Sequence, residues 1–134
     1  MNSNFRMPKT IFAIDFDGTC VFHEYPKVGE SVPNAVRVLR LLVANGHKLI
    51  LWTMRSGKEL QDAQDWFKKH NIPLWGVQDN PEQKSWTSSP KAYAQVYIDD
   101  AALGCPLIFN RELSKSPFVD WSLVETMLTV SSYI

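Results

Sequence analysis

Two aspartates lie one residue apart directly after an apolar run, where their carboxylates could do chemistry together. The apolar residues 11–14 lead into Asp15 and Asp17, and the turn Gly18-Thr19 follows. Two carboxylates this close repel each other unless a cation lies between them, and hard oxygen ligands suit Mg²⁺. An Asp-Gly pair by itself would indicate an ordinary turn. The same pair at the end of a buried strand predicts a site that binds Mg²⁺.

The residues before the aspartates predict a strand that is buried on both faces. Residues 11–14 are β-branched, aromatic or small without a polar break, and the predicted strand runs from Lys9 to Asp15. Ligands of open α/β sheets bind at the C-terminal ends of the strands. The strand therefore delivers its two carboxylates to the edge where a ligand would bind.

Further apolar segments predict four more strands. The second strand ends in Thr53, and the fourth is followed directly by Asp99 and Asp100. These segments are residues 47–53, 74–77 and 95–98, together with a short edge strand at 106–109.

Amphipathic segments between the strands predict three helices, each preceded by a start signal. The signals are a capping hydroxyl with an early proline, or a serine with a glutamate three residues later. They are Ser31 with Pro33, Ser56 with Glu59, and Ser116 with Pro117.

Strands that alternate with helices predict an α/β fold with a doubly wound, mostly parallel sheet and helices on both faces. A chain of 134 residues suits one core, so residues 1–134 are predicted to form a single domain. Within it, residues 1–8 form a polar lead-in and residues 20–30 form a flap over the carboxylates.

The composition is that of an ordinary globular protein and excludes several classes. The chain has 14 basic and 14 acidic residues and no basic run, which argues against a nucleic-acid partner. No apolar stretch approaches the length of a membrane span, so no membrane partner is expected. Cys20 and Cys105 form no metal or disulfide pattern, and this favours a reduced, cytoplasmic setting.

The strand ends bring a set of polar side chains to one edge of the predicted sheet: Asp15, Asp17, Thr53, Asp99 and Asp100. This set could transfer a phosphoryl group through an aspartyl-phosphate. Asp15, first off the strand, is the expected nucleophile, and Asp17 the expected general acid and base. Mg²⁺ would bridge Asp15, the main-chain carbonyl of Asp17 and one carboxylate of the Asp99-Asp100 pair.

Other residues are candidates for holding the substrate. The Gly18-Thr19 turn lets the backbone approach a ligand closely. The hydroxyl of Thr53 and the helix start that follows it can hold phosphate oxygens. Arg55 is either a clamp for phosphate or carboxylate or a solvated loop residue.

A lysine is expected to offset the charge of the transferring group, and both Lys91 and Lys84 lie upstream of the fourth strand. Lys91 is favoured because it is nearer to that strand. A solvated surface lysine is the competing interpretation for either residue.

Aromatic residues and the flap offer weaker signals. Trp52 and Trp66 fit the core, whereas Trp75 and Trp86 lie near or in a loop that faces the predicted site. The flap residue His23 could select the leaving group or remain unengaged.

The chain resembles phosphatases of the haloacid dehalogenase superfamily. It carries four motifs in the family's order: DFDGT at residues 15–19, Thr53 within LWTMR, a lysine near SPKAY, and YIDD at residues 97–100. The first and last motifs are specific in combination, and the lysine motif is weak because position alone defines it.

The resemblance implies a Rossmann-like core of the minimal, capless type, Mg²⁺ as cofactor and an aspartyl-phosphate intermediate. It assigns the roles above to Asp15, Asp17, Thr53, Lys91 and Asp99. Similar proteins differ in which aspartate of the last pair touches the metal. Asp99 is the metal ligand preferred here, and Asp100 is kept among the catalytic residues.

Two competing functions fit parts of the sequence. A phospho-acceptor signalling domain of the receiver kind would use Asp79, which follows the third strand, but the DxDGT spacing counts against it. A phosphate-binding module without turnover would need only the fold. As an enzyme, the protein would act on a small-molecule or macromolecular phosphomonoester, and an open site is compatible with a homo-oligomer.

Overall fold

A computed structural model describes residues 5–134, so residues 1–4 of the predicted lead-in lie outside the described residues. Residues 5–134 form six strands, three α-helices and one short 3₁₀ helix at Gln83–Ser85. In chain order, the strands and α-helices are β1 Ile11–Ile14, α1 Ala35–Ala44, β2 Lys48–Leu51, α2 Gly57–Lys69, β3 Gly76–Val77, β4 Val96–Ile98, β5 Leu107–Ile108, β6 Phe118–Val119 and α3 Trp121–Val130.

Four strands form one parallel sheet in the order β3-β2-β1-β4. Ile14, the last residue of β1, pairs with Leu51 of β2 and with Ile98 of β4, so these three strands end at the same level. The chain winds outwards from β1 to β3 and then returns to place β4 on the other side of β1. Such a reversal opens a crevice beyond the strand ends, and that crevice is where ligands bind in open α/β sheets.

The core confirms that the central strands are buried. Phe12 and Ile14 of β1 are fully buried, as are Ile50 and Leu51 of β2. This is the burial expected of a parallel sheet whose strands read as continuous apolar runs. The predicted α/β class and parallel sheet are therefore confirmed.

The helix start signals are only partly correct. Helix α1 begins after Asn34, which adopts a left-handed conformation with φ of 68°, and not at the predicted Ser31. The Ser31 hydroxyl accepts a hydrogen bond from Trp66 Nε1 at 3.0 Å instead. Helix α2 follows Ser56 as predicted, but the Ser56 side chain makes no capping hydrogen bond. Sequence propensity predicts the presence of a helix more reliably than it predicts which residue caps it.

The last helix and the fifth strand also differ from prediction. Asp120, and not Ser116, caps α3 by accepting a hydrogen bond from Leu123 N at 3.1 Å. Strand β5 does not join the edge of the parallel sheet, because it pairs antiparallel with β6 in a separate two-stranded sheet. Strands of two residues are too short to show an alternation of apolar and polar residues, so the sequence does not indicate that β5 pairs with β6.

The predicted flap is a loop closed at its base. Val21 bridges to Ser31, and Phe22 N donates to Glu30 O at 2.9 Å. A turn inside the loop is closed by Lys27 N donating to Glu24 O. Among residues 5–134, no helix has the length and apolar character needed to span a membrane.

Candidate functional site

Three aspartates from β1 and β4 meet at the C-terminal edge of the sheet. Each of Asp15, Asp99 and Asp100 offers a carboxylate oxygen within 4.8 Å of the other two. The strands hold them together, since Asp15 N donates to Ile98 O at 3.0 Å. The structure therefore brings together the aspartates that the sequence placed at the ends of two separate strands.

The electrostatics of this cluster are unfavourable without a cation. Burial raises the pKa of Asp15 to about 8, and a hydrogen bond with Asp100 and the charge of Asp99 add to the effect. The pKa of Asp99 is raised as well, by its burial and by Asp100. Among residues 5–134, no lysine or arginine pairs with these three carboxylates. Converging hard carboxylate oxygens have the donor chemistry that binds Mg²⁺ or a similar cation. The cluster could therefore hold a metal ion.

Thr19 fixes the orientation of the Asp15 carboxylate. Its Oγ1 donates to Asp15 Oδ2 at 2.9 Å and accepts from Asp100 N at 3.2 Å. The Thr19 carbonyl in turn accepts a hydrogen bond from Trp121 Nε1 at 2.6 Å. Thr19 is fully buried, so it supports the cluster from behind. The sequence analysis had instead offered Thr19 as a contact for the substrate.

Gly18 occupies a position that only glycine fits. Its φ is 80°, and a Cβ at this position would collide with the side chains of His23 and Asp100. His23 Nε2 lies 2.9 Å from Asp100 Oδ2, so the flap residue reaches the carboxylate cluster directly. The sequence offered His23 as a contact for the leaving group, and in the structure it contacts Asp100.

Arg55 forms a bidentate ion pair with Asp17. Arg55 Nε donates to Asp17 Oδ2 and Arg55 Nη2 to Asp17 Oδ1, both at 2.8 Å. The remaining guanidinium N–H groups donate to the carbonyls of Pro26, Lys27 and Glu59. All five donors are therefore engaged, and only 1% of the side chain is exposed. The predicted alternatives for Arg55, a substrate clamp or a solvated residue, do not describe this geometry.

A cleft of about 260 Å³ opens beside Asp15. Its lining consists of Asp15, Trp52, Thr53, Met54, Gln78 and Asp99. Thr53 thus lies at the site as predicted. Gln78 holds the Thr53 backbone, because its Oε1 accepts from Thr53 N at 2.8 Å and its Nε2 donates to Thr53 O at 2.5 Å.

The sequence analysis missed Gln78, Met54 and the position of Trp52, which lines the cleft and is not a core residue. All three could have been found by extending the strand-end rule. Trp52 and Met54 flank Thr53 after β2, and Gln78 follows β3 directly. Trp86, predicted to lie near or in a loop facing the site, is exposed and packs edge-on against Tyr93.

Neither predicted lysine is brought to the carboxylates. Lys91 Nζ lies 5.3 Å from the centre of the Tyr97 ring, and Lys84 is exposed on the 3₁₀ helix. Within residues 5–134, neither lysine lines the cleft or forms an ion pair with an aspartate of the site. The expectation that one of them offsets the charge of the transferring group has no support in this geometry.

Comparison with known proteins places the chain in a family. No model of a protein family matches it, and no curated protein does. A solved structure, described as that of a conserved protein coded by a locus from Bacteroides thetaiotaomicron, has 32% sequence identity and a TM-score of 0.76. The match covers 92% of this chain and 93% of the other. The chain therefore belongs to the same family as this conserved protein of Bacteroides thetaiotaomicron.

Proposed function

We propose that the protein is a Mg²⁺-dependent phosphomonoester hydrolase that works through an aspartyl-phosphate on Asp15. The observation that carries the proposal is the convergence of Asp15, Asp99 and Asp100 beside an open cleft. The resemblance of the DFDGT, LWTMR and YIDD segments to haloacid dehalogenase phosphatases supports the same reaction. We also propose the doubly wound, capless core of that superfamily, and a cytoplasmic location.

The residues that would hold Mg²⁺ are Asp15, Asp99 and Asp100, whose oxygens already converge. Once bound, the cation would offset two of the three carboxylate charges and polarise the phosphoryl oxygens. The positive charge at the site would then come from the metal, since neither Lys84 nor Lys91 lines the cleft.

In the first step, Asp15 attacks the phosphorus, and the bond between phosphorus and the ester oxygen breaks. The hydrogen bond from Thr19 to Asp15 Oδ2 fixes the carboxylate for this attack. The Thr53 hydroxyl, at the edge of the cleft, is available to orient the phosphoryl group.

Asp17 carries the protons in this scheme. Its carboxylate, which pairs with Arg55 in the ionised form, first takes up a proton from solvent and gives that proton to the leaving oxygen. It later takes a proton from the water that attacks the aspartyl-phosphate and releases phosphate. Arg55 uses one lone pair on each Asp17 oxygen, and each oxygen keeps a second one for the proton.

The receiver-like alternative receives no support from the geometry. Its acceptor would be Asp79, which is exposed and lies outside the cluster of Asp15, Asp99 and Asp100. Asp79→Asn is therefore a suitable control variant.

The test is hydrolysis of 4-nitrophenyl phosphate by the wild type, Asp15→Asn and Asp79→Asn, each with Mg²⁺ and with EDTA. We expect turnover that requires both Mg²⁺ and Asp15 and is unaffected by the Asp79 substitution. Turnover by Asp15→Asn at the wild-type rate would overturn the proposed intermediate. Labelling of Asp79 by a small phosphodonor would favour the signalling function instead.

A further inference from the structure

Carboxylates and apolar side chains both line the cleft beside Asp15. Asp15 and Asp99 contribute the carboxylates, whereas Trp52 and Met54 contribute an indole and a thioether. Met54 is 98% exposed. A solvated thioether gains contact area when a ring covers it, and both side chains pack favourably against aromatic groups.

The lining contains no lysine, arginine or histidine among the residues that the structure describes. Arg55 follows Met54 in the chain, but its five N–H groups are all bound to Asp17 and to backbone carbonyls. A leaving group with a second negative charge would therefore find no side-chain cation in the cleft. The proposed Mg²⁺ would bring two positive charges against the three carboxylates of Asp15, Asp99 and Asp100, so the site would still repel that second charge.

We infer that the site takes phosphomonoesters of small, uncharged aryl or arylalkyl alcohols, and that Trp52 and Met54 receive the ring. This inference rests on the proposed phosphatase function, because it assumes that the phosphoryl group lies at Asp15. A cleft of about 260 Å³ is small for a ligand pocket, so the leaving group is of the order of one or two rings. Sugar bisphosphates, nucleotides and phosphorylated carboxylic acids are disfavoured.

The test compares benzyl phosphate with 4-carboxybenzyl phosphate. Both release a benzylic alcohol, so the two esters differ mainly in a remote charge. We expect kcat/KM to be about tenfold higher for benzyl phosphate, because the remote carboxylate of the other ester approaches a site that stays net negative with Mg²⁺ bound and offers that carboxylate no side-chain cation. Equal values, or a preference for the carboxylated ester, would overturn the inference while leaving the phosphatase function intact.

A binding experiment separates the inference from turnover. Benzylphosphonate and 4-carboxybenzylphosphonate carry no cleavable ester, and their affinities follow from calorimetry or from the change in tryptophan fluorescence. We expect tighter binding of benzylphosphonate, which lacks the remote carboxylate, even if no ester is hydrolysed. If neither phosphonate binds, or both bind equally, the inference fails whatever the outcome of the hydrolysis assay.

Two lysine substitutions at solvated apolar positions complete the design. Met54→Lys places a cation at the mouth of the cleft, and we expect it to narrow or invert the preference for benzyl phosphate. Leu103→Lys makes the same change at a fully exposed residue outside the cleft lining, and the preference should not change. Equal effects of the two substitutions would show that general charge, and not the cleft, sets the preference.

Discussion

Arg55 and Asp17 face each other through two hydrogen bonds of 2.8 Å, with the guanidinium almost completely shielded from water. The same guanidinium holds the carbonyls of Pro26 and Lys27 in the flap and of Glu59 in the first turn of α2. One side chain thus joins the loop after β1, the flap and the start of a helix. The hydrogen bonds to Asp17 raise the pKa of Arg55 above its usual value, so its charge is permanent.

Replacing Arg55 with methionine is expected to lower the free energy of unfolding by about 3–5 kcal/mol, because it leaves Asp17 without its buried partner. Urea unfolding measures the loss. In a double-mutant cycle, Asp17→Asn should cost much less when Arg55 is already methionine. Strict additivity would show that the two side chains are not energetically coupled.

The control for this prediction is Arg37→Met. Arg37 also forms a bidentate pair, with Glu125, but both side chains lie at the surface. Water and salt screen such pairs, so this substitution should have a far smaller effect. An equal loss for Arg37 and Arg55 would mean that burial does not determine the strength of the pair.

Thr19→Val keeps the shape of a buried residue but removes the hydrogen bond to Asp15. We expect Mg²⁺ affinity to fall about 10–100-fold, since side chains that orient metal ligands have effects of this size. Thr19→Ser keeps the hydroxyl and should retain most of the affinity. Calorimetric titration with Mg²⁺ measures both variants, and an unchanged affinity in Thr19→Val would contradict the supporting role.

The raised pKa of Asp15 predicts how the stability of the metal-free protein depends on pH. The pKa is about 8 in the folded protein against an ordinary value of 3.8, so the folded state holds a proton that the unfolded state releases. The associated stability is fully present below pH 4 and is lost as pH rises through about 8.

Thermal unfolding in EDTA should therefore show Tm falling between pH 5 and pH 8.5. Asp15→Asn should flatten this slope, because asparagine does not titrate. Excess Mg²⁺ should raise Tm most at the alkaline end, where the carboxylates are free of protons. If Tm depends on pH identically in the wild type and in Asp15→Asn, the titration of Asp15 does not cause the pH dependence.

Local sequence patterns predicted those parts of the site that sit at strand ends. The apolar run before Asp15 is long enough to identify a buried strand, and the parallel arrangement then brings Asp99 and Asp100 to the same edge. Thr53 follows from the same rule. These predictions succeed because they require only periodicity and the direction of parallel strands.

The remaining contacts depend on distances that no local pattern encodes. Arg55 and Asp17 are 38 residues apart, and nothing around either residue indicates that the guanidinium turns inwards. For Lys91, in contrast, the sequence analysis predicted a contact with the site that the structure does not show. Lys91 is close to β4 in sequence, but its ammonium group lies against the Tyr97 ring and not at the carboxylates. Tertiary packing decides both cases.

The contact between Trp121 and the Thr19 carbonyl spans 102 residues and sets an order of events during protein synthesis. The aspartate loop is translated first, and the indole that holds it follows only 102 residues later. A nascent chain that already carries all the residues of the site still lacks this brace. The site is therefore completed late, after α3 has emerged and docked.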